Sequence, residues 1–186
     1  MPAARLGAVR LVAIDGPSGS GKSGLADRVV GRLRGAGVGV ELVRTDYFAT
    51  WDEPVGWWPR LVEGVLEPLA AGRPGGYRRM EWLAGRPRPG EWVRVGVPEV
   101  LVVEGVSAGR RSVRERLSAL VWCEHPDPVE RLERAVARDG EACRAPLQAW
   151  QRFEEGWFAI DAPVAVATVR YPNGGNPADA PIHSIG

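Results

Sequence analysis

Lysine is nearly missing from this chain: of its 24 basic residues only Lys22 is a lysine, and all the others are arginine. A composition that has almost erased lysine yet keeps it at one place marks that place as needing an ammonium group. Cysteine is scarce as well. Cys123 and Cys143 lie far apart, with no CxxC pair and no Cys/His cluster, so neither a disulfide framework nor a zinc site is expected and both thiols should be reduced. No apolar run approaches the roughly 20 residues needed to span a bilayer. The amino-terminal residues also lack the basic start, apolar middle and small-residue cleavage site of an export signal, and a cytoplasmic location is expected. Nor is there a surplus of either charge. The 24 basic and 23 acidic residues leave a net charge of +1, which offers no field for gripping nucleic acid or an anionic membrane. Any affinity for phosphate must therefore be local.

What is present is an alternation of apolar runs and helical patterns over 186 residues, a length that suits one domain. Val9–Ile14 reads as a strand, Asp15–Gly21 as a Gly-rich loop, and Lys22–Leu33 as a helix. Val38–Val43 and Val100–Val103 read as further buried strands, with Thr45-Asp46-Tyr47-Phe48 and Glu104-Gly105 at their carboxyl ends. Leu117–Trp122 is a fourth strand. After it, Asp127-Pro128-Val129-Glu130 starts a helix to about Arg138: Asp caps, Pro takes the first helical position, and Glu completes a box-like pair. A helix from Pro146 to Phe158 with Leu147, Trp150 and Trp157 inward, and a last strand over Pro163–Val169, follow. Strands alternating with helices predict an α/β fold, a five-stranded parallel sheet covered on both faces. Residues 1–170 form the expected domain. Within it, 51–98 is an insertion over the carboxyl edge of the sheet, with five of the eight Trp, a helix over Pro59–Ala71 and a Gly/Pro/Arg-rich remainder. Residues 171–186 read as a loosely held, turn-rich tail.

One motif carries chemistry. Gly16-Pro17-Ser18-Gly19-Ser20-Gly21-Lys22-Ser23 is a full match to GxxxxGK[ST], the P-loop, with Gly24 next in the helix. Glycines let successive N–H groups turn inward around phosphate oxygens, and the helix behind adds its positive end. Lys22 would neutralise the β- and γ-phosphates of ATP, and the Ser23 hydroxyl would ligate Mg2+. From the chain's own Gly, Lys and Ser/Thr frequencies, a chance match arises about once in a thousand such chains.

The other strand ends narrow the chemistry. An NKxD segment and a DxxG switch are both absent, which argues against guanine specificity. Glu104 ends the third strand, where a carboxylate beside the P-loop could hold magnesium or simply face solvent. Asp46 ends the second. There it could orient an acceptor hydroxyl and take its proton during in-line attack, or cap the loop Tyr47–Thr50. Arg134, Arg138 and Arg144 bracket the polar stretch 138–146, which could close over bound ATP as a short arginine lid; a solvated arginine face is the plainer alternative. Tyr77 and Trp82 could stack on a flat acceptor, with Tyr47 also at the acceptor site, and Arg78 or Arg79 could pair with an anionic one; the plainer alternative is that the Trp-rich insertion simply packs a small lid subdomain. His125 and His183 read as surface residues.

Taken together, Gly-Pro-Ser-Gly-Ser-Gly-Lys-Ser at 16–23, Asp46-Tyr47-Phe48, Val103-Glu104-Gly105, and Arg131-Leu132-Glu133-Arg134 leading to Arg138-Asp139 and Arg144 resemble the uridine kinase-like branch of P-loop kinases. That branch also contains phosphoribulokinase and a pantothenate kinase, and the resemblance runs from Val9 to about Val169. It implies an NMP-kinase-like fold and ATP- and Mg2+-dependent transfer to a small-molecule hydroxyl, a nucleoside first. It also implies Asp46 as base, Ser23 and Glu104 on the magnesium side, and Arg138 and Arg144 facing the triphosphate. Members are often homo-oligomers. The chain departs from uridine kinases at Tyr77-Arg78-Arg79-Met80-Glu81-Trp82, where their Tyr-Asp-Phe segment is followed by a His and this one has none. An anionic-metabolite kinase and a nucleotide-dependent regulator are the alternatives.

Overall fold

The first apolar run becomes β1 (Arg10–Asp15) in a computed structural model that describes residues 1–83 and 86–173. The P-loop leads from it into α1 (Lys22–Gly35). β2 (Val40–Arg44), β5 (Val100–Glu104), β6 (Leu117–Glu124) and β7 (Val169–Pro172) complete a five-stranded sheet in the order β2-β5-β1-β6-β7, with every pairing parallel. Every residue of β5 is buried, as expected for a strand covered on both faces, and this explains its unbroken Val-Leu-Val-Val pattern. Register sets the functional edge: Glu104 is level with Ile14 on one side and Arg44 on the other. Three carboxyl ends therefore meet beside the point where chain connections diverge to either side of β1, the usual ligand crevice of such sheets.

One sheet face packs on α1 through Leu25, Ala26 and Val30. The other receives Phe48 and the first half of the insertion: Phe48, Trp57, Trp58, Leu61, Val65, Leu66 and Leu69 join Leu11, Val43, Leu101 and Val103 in the larger core cluster. The helix expected over Pro59–Ala71 exists as a continuous run of α2 (Trp58–Leu61), a π turn (Val62–Leu66) and α3 (Glu67–Ala70). Pro68 lacks the N–H that regular pairing would use, and a π turn is one way a helix absorbs such a break. Trp57 stacks between Phe48 and Trp58 at 5.0 and 5.4 Å and is fully buried, so truncating it should cost about 3–5 kcal/mol.

The stretch read as Gly/Pro/Arg-rich and without elements is a β-hairpin, β3 (Gly75–Leu83) paired antiparallel with β4 (Arg86–Val95). The alternation was hidden by arginines and prolines that an exposed two-stranded arm tolerates. The last strand is also displaced. α5 (Arg144–Asp161) ends at Ala162 in the left-handed region, φ 49°, and Pro163, which has no N–H to give, opens a 3-10 turn over Pro163–Val166. Pairing with β6 begins only at Val121 and Val169, so Tyr171 and Pro172 belong to the sheet and not to the tail; the rest of the expected tail, from Gly174, lies outside the described residues.

α4 (Pro128–Asp139) begins as expected. Asp127 accepts from the N–H groups of Val129 and Glu130 at 2.8 and 3.2 Å. Glu130 does not close a capping box; its carboxylate goes to Arg134 at 2.6 Å. α5 packs against α4 through Leu147, with Trp150 and Trp157 half-buried. Among the described residues no helix is long and apolar enough to cross a membrane.

Candidate active site

Ligand sites of this kind are made by backbone before side chains. At Gly16 the chain turns at φ 146° and at Gly19 at φ 76°, conformations that favour glycine. Each also passes where a Cβ would strike a carbonyl: that of Cys123 above Gly16, and that of Arg131, in α4, above Gly19. The P-loop is thus wedged between the end of β6 and the lid helices. Lys22 is buried, and its ammonium donates to the Pro17 carbonyl at 2.8 Å.

Beneath the loop Asp15 is fully buried, accepting from the N–H groups of Gly16 (2.7 Å), Ser107 (3.2 Å) and Gly109 (2.8 Å). Burial pushes its carboxyl up to about 7, against those three bonds and the Lys22 charge. Ser107 sits at φ 72° and accepts from the Trp58 indole at 2.9 Å, a strained position held by bonds on both sides.

The two candidate magnesium ligands touch: Ser23 Oγ donates to Glu104 Oε1 at 3.2 Å. The other oxygen, Glu104 Oε2, accepts from Arg44 at 3.1 Å, and Arg44 also reaches Asp27 at 2.6 Å. Burial raises the Glu104 pKa and the nearby Asp46 adds to this, while Lys22, Arg44 and Ser23 oppose it. A hydroxyl and one carboxylate beside a phosphate cradle suit Mg2+, which prefers one or two carboxylates plus phosphates and waters to an all-protein cage. Among the described residues no group of three or more His, Cys, Asp or Glu forms such a cage.

Asp46 lies on a 3-10 turn (Thr45–Tyr47) just past β2, exposed to the crevice. Among the described residues its carboxylate accepts no hydrogen bond from the loop Tyr47–Thr50. Arg138 is held on Asp139 by two 2.7 Å bonds, and this pair raises its pKa first, with the more distant Asp46 and Glu104 adding to it. Its hydrogen bonds are thus with its own neighbour Asp139, and no hydrogen bond or ion pair joins it to Asp46 or Glu104 among the described residues. Arg134 is paired with Glu130, and Arg144 with Glu133 and Glu141, so these two guanidinium groups lie on carboxylates of α4 and of the stretch that follows it.

On the acceptor side, Tyr47 and Tyr77 stack at 6.4 Å, and the Arg79 guanidinium stands 5.0 Å over the Tyr47 ring. Tyr77 is buried against Phe48, and burial pushes its phenol up to about 12; it packs the wall more than it lines an opening. Arg78 is turned away to the Gly90 carbonyl. Trp82 is exposed, edge-on to Trp51 at 5.3 Å, and Trp51 meets Trp150 of α5 at 6.4 Å.

Several residues of the site were missed from sequence. Arg44, Asp15 and Ser107 act through partners distant in the chain. Glu154 is buried on the inward face of α5, where an acid between Trp150 and Trp157 was the available signal; it accepts from Ser18 of the P-loop. His125, expected at the surface, is buried beside the P-loop because Pro126 and the start of α4 fold over it; its ring comes within 3.4 Å of Glu130 without a well-formed hydrogen bond. It borders a cavity of about 490 Å³ whose walls include Pro17, Trp122 and Asn173. His183 lies outside the described residues.

No family model matches the chain, and no curated protein matches it. Solved structures do. A possible uridine kinase from Bacillus stearothermophilus superposes with a TM-score of 0.64 at 18% identity, covering 88% of each chain. A candidate fructose transport system kinase from Silicibacter sp. TM1040 gives 0.59 at 22% identity over 88% of this chain and 90% of that one. A D-glycerate 3-kinase from Cryptococcus neoformans var. grubii gives 0.55 at 14% identity, over 80% and 78%. At these identities the likeness shows the fold, and that fold is the P-loop kinase fold.

Proposed function

We propose that this chain, built on the P-loop kinase fold, transfers the γ-phosphoryl group of ATP to a hydroxyl of a small molecule with Mg2+. The observation that carries the reading is the convergence of Lys22, the Ser23–Glu104 pair and the exposed Asp46 carboxylate at one sheet edge. A protein that only bound nucleotide would have no use for Asp46.

The chain's own groups would divide the work as follows. The N–H groups of Gly19–Ser23 cradle the phosphates. Lys22 exchanges the Pro17 carbonyl for phosphate oxygens and offsets charge as it shifts toward the leaving oxygen. Ser23 and Glu104 would hold Mg2+, which when bound would offset the negative charge of the phosphates. Asp46 accepts the acceptor's hydroxyl proton as that oxygen bonds to the γ-phosphorus and the bond to the β-bridging oxygen breaks, releasing ADP. Arg138, freed from Asp139, can follow the transferring group.

The acceptor is a nucleoside by the resemblance to uridine kinases. Arg79 above Tyr47 favours a second reading, an anionic metabolite, since a cation beside the candidate base would suit a carboxylate or phosphate. The named neighbours act on different acceptor classes and do not choose between the two. Mg-dependent ATP consumption against nucleosides, sugars, sugar phosphates and hydroxy acids tests the proposal, with Asp46→Asn alongside. Stimulation by one acceptor that disappears in the variant while ATP binding persists is the expected result; slow hydrolysis that no acceptor stimulates would leave a nucleotide-dependent regulator.

A further inference from the structure

One contact ties the P-loop to the far end of the chain. The Glu154 carboxylate, 1% exposed, receives the Ser18 N–H at 3.0 Å on each oxygen and the Ser18 hydroxyl at 2.9 Å. Arg131 of α4 approaches the same carboxylate at 3.5 Å, and the Arg131 carbonyl lies against Gly19. A carboxylate taken fully out of water stays only where donors satisfy it, and here the donors are the outer arch of the phosphate-binding loop. Four residues earlier on the same face of α5, Trp150 rests on Trp51, which rests on Trp82 of the insertion. Two consecutive turns of one helix thus touch both halves of the site.

We propose that Glu154 is a positioning residue of the phosphate site: it holds Ser18 so that the arch of the P-loop is set by α5, the helix that also carries Trp150 onto the acceptor insertion. This rests on the reading that the loop binds ATP. Glu154 touches neither phosphate nor acceptor; it acts through Ser18. With the arch shaped before nucleotide arrives, less ordering is left to be done on binding. Any shift of α5 driven at Trp150 reaches the loop through a contact that cannot stretch without exposing a buried charge to unpaired surroundings.

Amide hydrogen exchange on isotope-labelled protein, without nucleotide and with a non-hydrolysable Mg–ATP analogue, tests this. In the nucleotide-free wild type the Ser18 amide should exchange about a hundredfold more slowly than in Glu154→Gln, with the amides of β5 alike in both. The analogue should bind about tenfold or more weakly to Glu154→Gln, at a melting temperature close to wild type. Trp150→Ala should weaken it about threefold and add less than that on the Glu154→Gln background. Equal Ser18 exchange in the two proteins, unchanged affinity in a folded Glu154→Gln, or full additivity with Trp150→Ala would overturn the proposal. Should Glu154→Gln not fold, the wild type decides: a Ser18 amide protected before nucleotide is added supports it, and one as fast as that of Gly19 overturns it. A wild type that binds no analogue would sink the kinase reading instead, while Ser18 exchange still reports on the contact.

Discussion

Ser23 and Glu104, 81 residues apart in the chain, are joined at 3.2 Å. The register that puts the end of β5 beside the start of α1 brings together the hydroxyl and the carboxylate proposed to hold Mg2+, and Arg44 occupies the second oxygen of the same carboxylate at 3.1 Å. On the proposed reading, magnesium would share Glu104 with, or take it from, a guanidinium.

Glu104→Gln should accordingly raise the Mg2+ concentration for half-maximal turnover by about tenfold or more, since a neutral amide is a poor substitute for a hard anionic ligand. Part of the rate should return at saturating Mg2+, and Arg44 keeps Asp27 as a partner. Turnover titrated against Mg2+ in both proteins checks this. An unchanged midpoint would remove Glu104 from the metal's ligands.

Lys22→Ala should abolish ATP turnover while leaving the fold intact. The ammonium makes one described bond, to the Pro17 carbonyl, and losing it leaves that carbonyl still accepting from the Ser20 N–H at 3.2 Å. On the proposed reading its work is on phosphate charge, where each lost charge-assisted bond costs about 1.5–3 kcal/mol. Circular dichroism and a turnover assay on the same sample decide the matter: normal folding with normal turnover is the result that would exclude the P-loop from catalysis.

How far these residues could be read without coordinates depended on how local their work is. The P-loop and the Asp127 cap use neighbours a few positions away, and both were legible with correct boundaries. The five parallel strands were legible in kind, though the last was placed too early because Pro163–Val166 is apolar without being extended. Glu154, Arg44 and His125 were not legible, because each owes its place to a partner fixed by topology. Ser18 lies 136 residues from Glu154, and no periodicity in either segment records that distance. The hairpin arm hid for a different reason: two exposed strands need no apolar alternation, so β3 and β4 resemble loop in composition.

Asp15 predicts a pH dependence of stability. Its carboxyl, 3.8 in the unfolded chain, is pushed up to about 7 by burial, so the folded protein holds a proton there that the unfolded chain has already lost. The sign follows: the contribution is fully present below about pH 4 and is lost as pH rises through about 7, amounting to roughly 4 kcal/mol at most. The wild-type melting temperature should fall between pH 6 and pH 8 more steeply than that of Asp15→Asn, which cannot ionise. Parallel curves would show that Asp15 does not titrate in this range.

Arg79 offers the most direct choice between acceptor classes. Its guanidinium lies over the Tyr47 ring, one residue from Asp46, and its nearest carboxylate, Glu91, is a loose 4.0 Å away, so most of its charge is available to a ligand. If the acceptor is anionic, Arg79→Ala should raise the acceptor KM by about tenfold or more, the loss expected for one charge-assisted contact, and leave the ATP KM unchanged because among the described residues no hydrogen bond or ion pair joins the hairpin to the P-loop. If the acceptor is a neutral nucleoside, the same change removes only a cation–π contact worth about 0.5–1 kcal/mol, and the acceptor KM should move by less than about fivefold. Steady-state kinetics with each substrate varied in turn separates the two outcomes, and an equal rise in both KM values would place Arg79 in support of the hairpin and outside the acceptor pocket.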